Sequence, residues 1–191
     1  MGAFRGKGMG RRRLGPGGFT LIELLVTVAV AAVLAALAVP SFTSLINTNR
    51  LVAQANALVA GLQEARVEAL RSNRRVTLCR SSNGTSCNTG AGAWTSWISF
   101  VDINGNQVVD AGDTLLRSSA VKVPLQVSST AQALTFRADG MVRDNGTRAL
   151  VNNTLTVCIP TTNPAANKRQ VTLNTGSRVA ITTPAGTGSC P

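Results

Sequence analysis

The pattern of apolar and polar positions divides the chain into three parts. One long apolar run is the second part, and its start marks the end of the first. From Phe19 to Val39 the residues are apolar with three exceptions, which are Thr20, Glu23 and Thr27. A helix of about 20 residues, rising 1.5 Å per residue, spans the roughly 30 Å hydrocarbon core of a bilayer. The pattern therefore predicts a membrane-spanning helix at residues 19–40, preceded by a basic, Gly-rich segment at residues 1–18.

A second helical pattern follows the apolar run. Six apolar residues recur at spacings of four and three: Leu51, Ala55, Leu58, Leu62, Ala65 and Ala69. This spacing forms one face of an α-helix. The helix is expected to run continuously to about Asn73, so that its second half, about 41–74, needs a partner surface. A sheet is the favoured partner, and a coiled-coil partner is the alternative.

From Val76 onward, short β-like runs alternate with turn signals such as Asn-Gly and Asp-Gly. The candidate strands are Val76–Arg80, Trp97–Asp102, Thr114–Ser118, Leu134–Arg137, Leu155–Ile159, Gln170–Leu173 and Arg178–Thr182. A helix followed by an antiparallel sheet is an α+β arrangement. We therefore predict a head domain at residues 41–191, with the sheet at about 75–191. Three aromatic residues are expected to pack between helix and sheet: Trp94, Trp97 and Phe100.

Composition argues against most enzymes. The 191 residues include 19 Lys and Arg, 8 Asp and Glu, and no His, for a net charge of +11. Without His there is no imidazole base, no Ser-His-Asp triad and no imidazole ligand for zinc. The four Cys form no C-x-x-C pair. No nucleophile–base pair is visible, so we expect a protein that is not an enzyme and has no catalytic residues.

Glu23 distinguishes between interpretations of the apolar run. One is a secretory signal peptide cleaved near Ala36-Leu37-Ala38; others are a retained membrane helix and a generic signal anchor. A carboxylate costs roughly 2.5–3.5 kcal/mol at the bilayer centre and marks a functional position by default. A signal peptide has no use for it, so a retained helix is favoured. The basic residues before the helix predict a cytoplasmic N-terminus and an outward-facing C-terminal part.

The residues around Glu23 resemble the signal of type IV prepilins and type II secretion pseudopilins: Gly18-Phe19-Thr20-Leu21-Ile22-Glu23. The resemblance implies that a prepilin peptidase removes residues 1–18 by cutting between Gly18 and Phe19, and then N-methylates Phe19. It implies that Glu23 neutralises the N-terminal amine of a neighbouring subunit during assembly. Pro40 matches a proline common in pilins, and it is expected to kink or locally melt the helix.

The head resembles one branch of this superfamily, the FimT/GspH-type minor pilins. The matching run is Trp94-x-x-Trp97-x-x-Phe100-x-Asp102-x-Asn104. The resemblance implies a pilin-like fold, with a long N-terminal helix packed on an antiparallel β-sheet head. It implies a minor pilin of a type IV pilus, anchored by a single pass in the bacterial inner membrane. Its head would be periplasmic or on the extracellular pilus, with other major and minor pilins as partners. The alternative is a GspH-type pseudopilin of a type II secretion system.

The cysteines are expected to form disulfides, because an outward-facing head lies in an oxidising compartment. Four Cys allow three connectivities. Cys79 and Cys87 flank a short Asn-Gly turn, so locality favours this pair and leaves Cys158 with Cys190. Each closed loop stabilises the fold by roughly 2–4 kcal/mol. Connectivity stays open at the level of sequence.

An acidic loop follows the aromatic strand. Its side-chain oxygens fall at loop positions 1, 3, 5, 9 and 12: Asp102, Asn104, Asn106, Asp110 and Asp113. This spacing is similar to that of a calcium loop, although Gln107 replaces the Gly at position 6 and Asp replaces the Glu at position 12. The alternative is a polar hairpin loop with Asx turns and no cofactor.

The basic residues of the head indicate duplex DNA as a candidate partner. From Ser41 onward there are 14 basic and 7 acidic residues. Some FimT-type minor pilins bind DNA through a C-terminal G-R-x-R loop, and Gly176-Ser177-Arg178 resembles it with one arginine. The resemblance implies phosphate contact by Arg178, and the basic C-terminal segment adds Lys168 and Arg169 as candidate contacts. A solvated basic surface is the alternative.

Overall fold

The computed structural model describes residues 18–88, 90 and 92–191, without the side chains of residues 37–40. The predicted leader, apart from Gly18, lies outside the described residues. One long helix, α1, runs from Leu21 to Ser72, and eight strands follow it. They are β1 (Val76–Ser81), β2 (Ser96–Val101), β3 (Thr114–Ala120), β4 (Gln126–Ser129), β5 (Ala133–Phe136), β6 (Asn153–Cys158), β7 (Lys168–Asn174) and β8 (Arg178–Thr182).

The chain divides into two compact units, with the boundary between Val39 and Pro40. The backbone is helical at Pro40, so the local melting expected there is not observed. A proline removes one hydrogen bond of the helical ladder, and the bonds of the flanking turns remain. The second unit, from Pro40 onward, is the head.

The strands form two antiparallel sheets, where the sequence pattern predicts one. Sheet A has the order β3-β2-β1-β5, and sheet B has the order β4-β6-β7-β8. The sequence pattern does not predict strand β4, because its four residues contain one apolar side chain, Val127, and show no alternation. Pairing with β6, in which Val127 lies opposite Val157, makes this segment a strand.

The core lies between α1 and both sheets. All six residues of the predicted apolar stripe are at most 1% exposed, which confirms that this face of α1 is the packed one. Trp94 and Trp97 belong to the same cluster. Phe100 does not: it packs with Ile98 and Cys79 in a second cluster. Side chains alternate along a strand, so Phe100 lies on the face of sheet A opposite Trp97, and its predicted position between helix and sheet is wrong.

Candidate functional site

The beginning of α1 presents an apolar surface. Every described side chain from Leu21 to Ala36 is exposed. The large apolar ones are more than half exposed, including Leu21, Ile22, Leu24, Leu25, Val26, Val28, Val30, Val33 and Leu34. Among the described residues, α1 is the one helix long and apolar enough to cross a membrane. A surface of this kind is stable in a membrane or against other apolar helices.

Thr20 caps this helix. The Glu23 backbone N–H donates to Thr20 Oγ1 at 3.3 Å, which makes Thr20 the N-cap and Glu23 the third helical residue. The T-x-x-E spacing of Thr20 and Glu23 is the sequence signal of a capping box. Within the described part of the chain, the Glu23 carboxylate has no hydrogen-bond or ion-pair partner. It is therefore available to a charge from another molecule.

Two disulfides brace the head. Cys79 pairs with Cys87, and Cys158 pairs with Cys190, with Cα–Cα distances of 5.6 and 5.7 Å. These are the pairs that locality favours. The first joins β1 to the loop that follows it, and the second joins the end of β6 to the C-terminal tail. The tail therefore has a covalent attachment to sheet B.

Buried hydrogen bonds hold the start of the acidic loop. Asp102 is fully buried and accepts hydrogen bonds at one oxygen from the Gly105 N–H, at 2.6 Å, and at the other from the Thr77 hydroxyl, at 2.8 Å. That second oxygen also accepts from the N–H of Gln107, 3.1 Å away. Gln107 has a φ of 64°, the left-handed conformation that favours the Gly of calcium loops. Its side-chain amide donates to Thr135 Oγ1, which anchors this strained residue.

The remaining loop oxygens also accept hydrogen bonds from the loop. Asp110 Oδ2 accepts from the side-chain amides of Asn104 and Asn106, at 2.8 and 2.6 Å. These amides lower the pKa of the Asp110 carboxyl. Asp113 accepts from the N–H groups of Ile103 and Asp110. Among the described residues, no group of three or more acidic, Cys or His side chains is placed to hold a metal ion. The geometry is that of a hydrogen-bonded loop with Asx turns.

The structure does not bring the three candidate DNA-binding residues together. Lys168 opens β7, whereas Arg178 opens β8 opposite Asn174. The seven-residue strand β7 separates these two ends of the hairpin by roughly 20 Å. Arg169 is 8% exposed, and its Nη1 donates to the carbonyl oxygens of Ala166 and Lys168. The three residues therefore do not form one basic loop, and their binding to DNA stays a prediction.

The turn that carries Arg178 is anchored by residues that the sequence analysis missed. Arg66 on α1 donates from Nη1 to the carbonyl oxygen of Ser177 at 2.9 Å. Ser177 is 2% exposed, and its hydroxyl accepts from the Val142 N–H at 2.7 Å. The turn is thus attached to both α1 and the segment after β5. No local sequence signal identifies these contacts, because they join residues that lie far apart in the chain.

The fold and the exposed apolar helix define the class of protein: a pilin-like subunit with an N-terminal anchor helix and a disulfide-braced head. A family model described as "Type II transport protein GspH" matches residues 54–177. A model of the prokaryotic N-terminal methylation motif matches residues 16–39. The first match covers more than half of the chain, so the chain belongs to the GspH family of minor pilins and pseudopilins. The predicted superfamily and the α+β pilin-like fold are confirmed.

Two solved structures of a minor pilin show the same fold at low sequence identity. The type IV minor pilin FimU of Pseudomonas aeruginosa, in two crystal forms, is 19% and 18% identical, with TM-scores of 0.51 and 0.54. These matches cover 72% and 73% of this chain and 98% and 95% of FimU. The minor pseudopilin EpsH of the Vibrio cholerae type 2 secretion system is 13% identical, with a TM-score of 0.49, over 70% of this chain and 97% of EpsH. A comparison with curated proteins finds no match.

Proposed function

We propose that this chain is a minor pilin of a type IV pilus. The observation that carries the proposal is the exposed apolar surface of α1 at residues 21–36, which contains Glu23, a carboxylate without a partner in the described part of the chain. Burial of one large apolar side chain is worth about 1.5–3 kcal/mol. Burial of this surface therefore drives insertion into the inner membrane, and then packing against equivalent helices in the filament.

Processing and charge pairing complete the proposed assembly. A prepilin peptidase removes the leader between Gly18 and Phe19 and methylates the new amine of Phe19. The Glu23 carboxylate then pairs with the N-terminal amine of a neighbouring subunit, because a lone charge in an apolar environment is costly and a paired charge is less so. The basic leader keeps the N-terminus cytoplasmic, which places the head in the periplasm and then on the pilus.

Crosslinking in living cells tests this assignment. A photoreactive residue at Leu25, which is 56% exposed, is expected to trap major and minor pilins, identified by mass spectrometry. The same residue at Leu51, which is 0% exposed, is the matched control and is expected to trap no partner. Recovery of secretion pseudopilins at Leu25 would contradict the proposal and favour the alternative, a subunit of a type II secretion system. The description of the matching family supports that alternative.

Duplex DNA is the second candidate partner, and Arg178 is the residue best placed to contact it. Arg178 is exposed on a turn that Arg66 anchors, whereas the Arg169 guanidinium is occupied by backbone carbonyls. Binding through phosphates weakens steeply as salt rises. The test is DNA binding by the full chain in detergent across a salt series, with Arg178→Gln against Lys168→Gln. Affinity that does not change with salt, or that Arg178→Gln leaves unchanged, would exclude this contact.

We also propose that the protein works without a metal ion and without catalysis. The support is the acidic loop, whose carboxylate oxygens accept hydrogen bonds from the loop itself. Excess calcium or EDTA is expected to leave the midpoint of thermal unfolding unchanged. A calcium-dependent rise that Asp110→Asn abolishes would establish a calcium site and overturn this part of the proposal.

A further inference from the structure

The charges of the head are segregated along α1. Its seven acidic residues all lie toward the C-terminal end of the helix: Glu64, Glu68, Asp102, Asp110, Asp113, Asp139 and Asp144. Glu64 and Glu68 belong to the last turns of α1. The other five follow β2 and β5, and the last residues of both strands pair with Val76, directly after the helix. The end of the head at which the chain leaves the apolar run is therefore free of acidic residues in the described part of the structure.

A groove lies at this acid-free end, between α1 and the connection from β3 to β4. Its volume is about 660 Å³. Its apolar lining includes Ile46, Ala53, Val123 and Leu125, and its two cations are Arg50 and Lys122. Both cations are exposed, and neither takes part in the ion pairs found among the described residues. The groove thus combines an apolar floor with two unpaired positive charges.

Gln54 adds an unsatisfied donor to the groove. It is 6% exposed, and its buried side-chain Nε2 has no hydrogen-bond acceptor among the residues that the structure describes. A buried donor without a partner is costly, and a ligand that supplies an acceptor oxygen removes this cost. An anionic acceptor satisfies Gln54 and both cations together. The apolar lining requires that the same ligand also carry hydrocarbon.

We propose that this groove binds the headgroup of an anionic phospholipid. The phosphate oxygens accept hydrogen bonds from Gln54 Nε2 and pair with Arg50 and Lys122, because oxyanions bonded to charged donors form strong hydrogen bonds. The glycerol and the first methylene groups lie on the apolar lining. Val123, 91% exposed at the tip of the connection, enters the interfacial layer.

The covalent chain keeps the groove near the bilayer, and this step rests on the proposed function, in which α1 anchors the protein in the membrane. Ile46 follows Val39 by seven residues. Even a fully extended segment of that length spans at most about 25 Å. The covalent chain therefore keeps Ile46 within that distance of the end of the apolar run. Each cation near an anionic bilayer contributes about a fivefold gain in binding.

The experiment uses the full chain in lipid nanodiscs. The four native cysteines are disulfide-bonded, so a cysteine introduced as Val123→Cys can be labelled selectively with an environment-sensitive fluorophore. A blue shift is expected in discs that contain phosphatidylglycerol, and none in discs of phosphatidylcholine alone. High salt is expected to reverse the shift. Arg50→Gln with Lys122→Gln is expected to weaken the response to phosphatidylglycerol by about 30-fold.

Matched controls separate the groove from general charge effects. Arg74→Gln with Arg137→Gln removes the same charge at the acid-rich end and is expected to leave the shift intact, and a label at Ala138→Cys is expected not to respond. The proposal is overturned by equal shifts in both lipids, by equal losses in both double variants, or by a shift that inorganic phosphate produces in phosphatidylcholine discs. A shift that appears only when a second pilin is added makes the groove a subunit contact and overturns it too. Failure of the chain to enter discs overturns the membrane anchor and, with it, this inference.

Discussion

At the residue scale, Gly61 lies where α1 meets the ring of Trp97. A Cβ atom built on Gly61 would lie 2.7 Å from Trp97 Cζ3 and closer still to Cη2. Glycine inside a helix normally costs about 0.5–1 kcal/mol relative to alanine. Here the close approach of α1 to sheet A requires a residue without a side chain, because the fully buried Trp97 ring has no room to move aside.

Gly61→Ala is therefore expected to destabilise the head by about 1–3 kcal/mol, since overpacking outweighs the gain in helix propensity. Chemical denaturation followed by tryptophan fluorescence measures the free energy of unfolding. Gln63→Ala, an exposed position two residues away, is the control and is expected to change it by less than about 0.5 kcal/mol. A stabilised Gly61→Ala variant would show that α1 and Trp97 are not in contact.

Asp144 is expected to make the head sensitive to acid. The N–H and hydroxyl of Thr147 and the N–H of Gly146 donate to Asp144 Oδ1 and lower the pKa of this carboxyl. A carboxyl whose pKa is lowered by folding contributes stability above its unfolded pKa of about 4, and this contribution is lost as the pH falls below that value.

Asp144→Asn keeps an acceptor oxygen and removes the titration. The variant is expected to lose less stability than the unchanged chain between about pH 4 and pH 2, measured by thermal unfolding across that range. At pH 7 the two are compared to verify that the turn is intact. Identical pH profiles would assign the acid sensitivity to other carboxyls.

Glu23 is expected to act in assembly rather than in processing. Glu23→Gln keeps the shape of the side chain and removes the charge that pairs with a neighbouring amine. Its incorporation into sheared filaments is expected to fall about tenfold, since hydrogen bonds to charged groups are worth about 1.5–3 kcal/mol. Thr27→Val is the control, because the Thr27 hydroxyl already bonds the Leu24 carbonyl within the helix. Loss of leader cleavage in Glu23→Gln would point instead to recognition by the peptidase.

At the element scale, the two disulfides differ in what they close. Cys79–Cys87 spans a sequence separation of 8, and Cys158–Cys190 spans 32. Loop-closure entropy rises with the logarithm of loop length, so the longer loop is expected to contribute about 1 kcal/mol more. The longer loop also attaches a tail that contains no strand.

Replacing Cys158 and Cys190 by Ser is accordingly expected to cost about 4 kcal/mol, against about 3 kcal/mol for Cys79 and Cys87. Urea denaturation of the two double variants measures the difference. The comparison is informative because each double replacement leaves one buried hydroxyl group, at Cys79 or Cys158, which are each 1% exposed, and one half-buried hydroxyl group, at Cys87 or Cys190. Equal losses would mean that strain or the unfolded state, rather than loop length, decides the contribution.

At the scale of the whole molecule, the head has a core of its own. Its buried apolar residues begin at Leu51, and the described side chains before Ala36 are exposed. A chain that starts at Pro40 is therefore expected to retain the thermal midpoint of the full chain in detergent to within a few degrees. Near-ultraviolet circular dichroism of Trp94 and Trp97 and the absence of free thiols verify the fold. A molten fragment would show that the first unit stabilises the head.

Local periodicity accounts for most elements of the fold. The stripe of α1 and seven of the eight strands follow from alternation and helical spacing, because each of these patterns is carried by residues close together in the chain. Strand β4 and the division into two sheets do not follow from local patterns. A four-residue segment with one apolar side chain becomes a strand by pairing with β6, about 30 residues further along the chain. The face of sheet A on which Phe100 packs is likewise decided by contacts between distant parts of the chain.

The sequence by itself determined the apolar helix, its lone carboxylate, the pilin-type signal and the excess of basic residues, since these are properties of neighbouring residues and of composition. Only the tertiary structure decided where the charges lie. It separated Lys168 from Arg178 and used the Arg169 guanidinium to bind backbone carbonyls. It also placed Arg50 and Lys122 on one groove beside Gln54, whose Nε2 has no partner among the described residues. Residues more than 70 positions apart meet through long-range packing, and no local pattern encodes such a meeting.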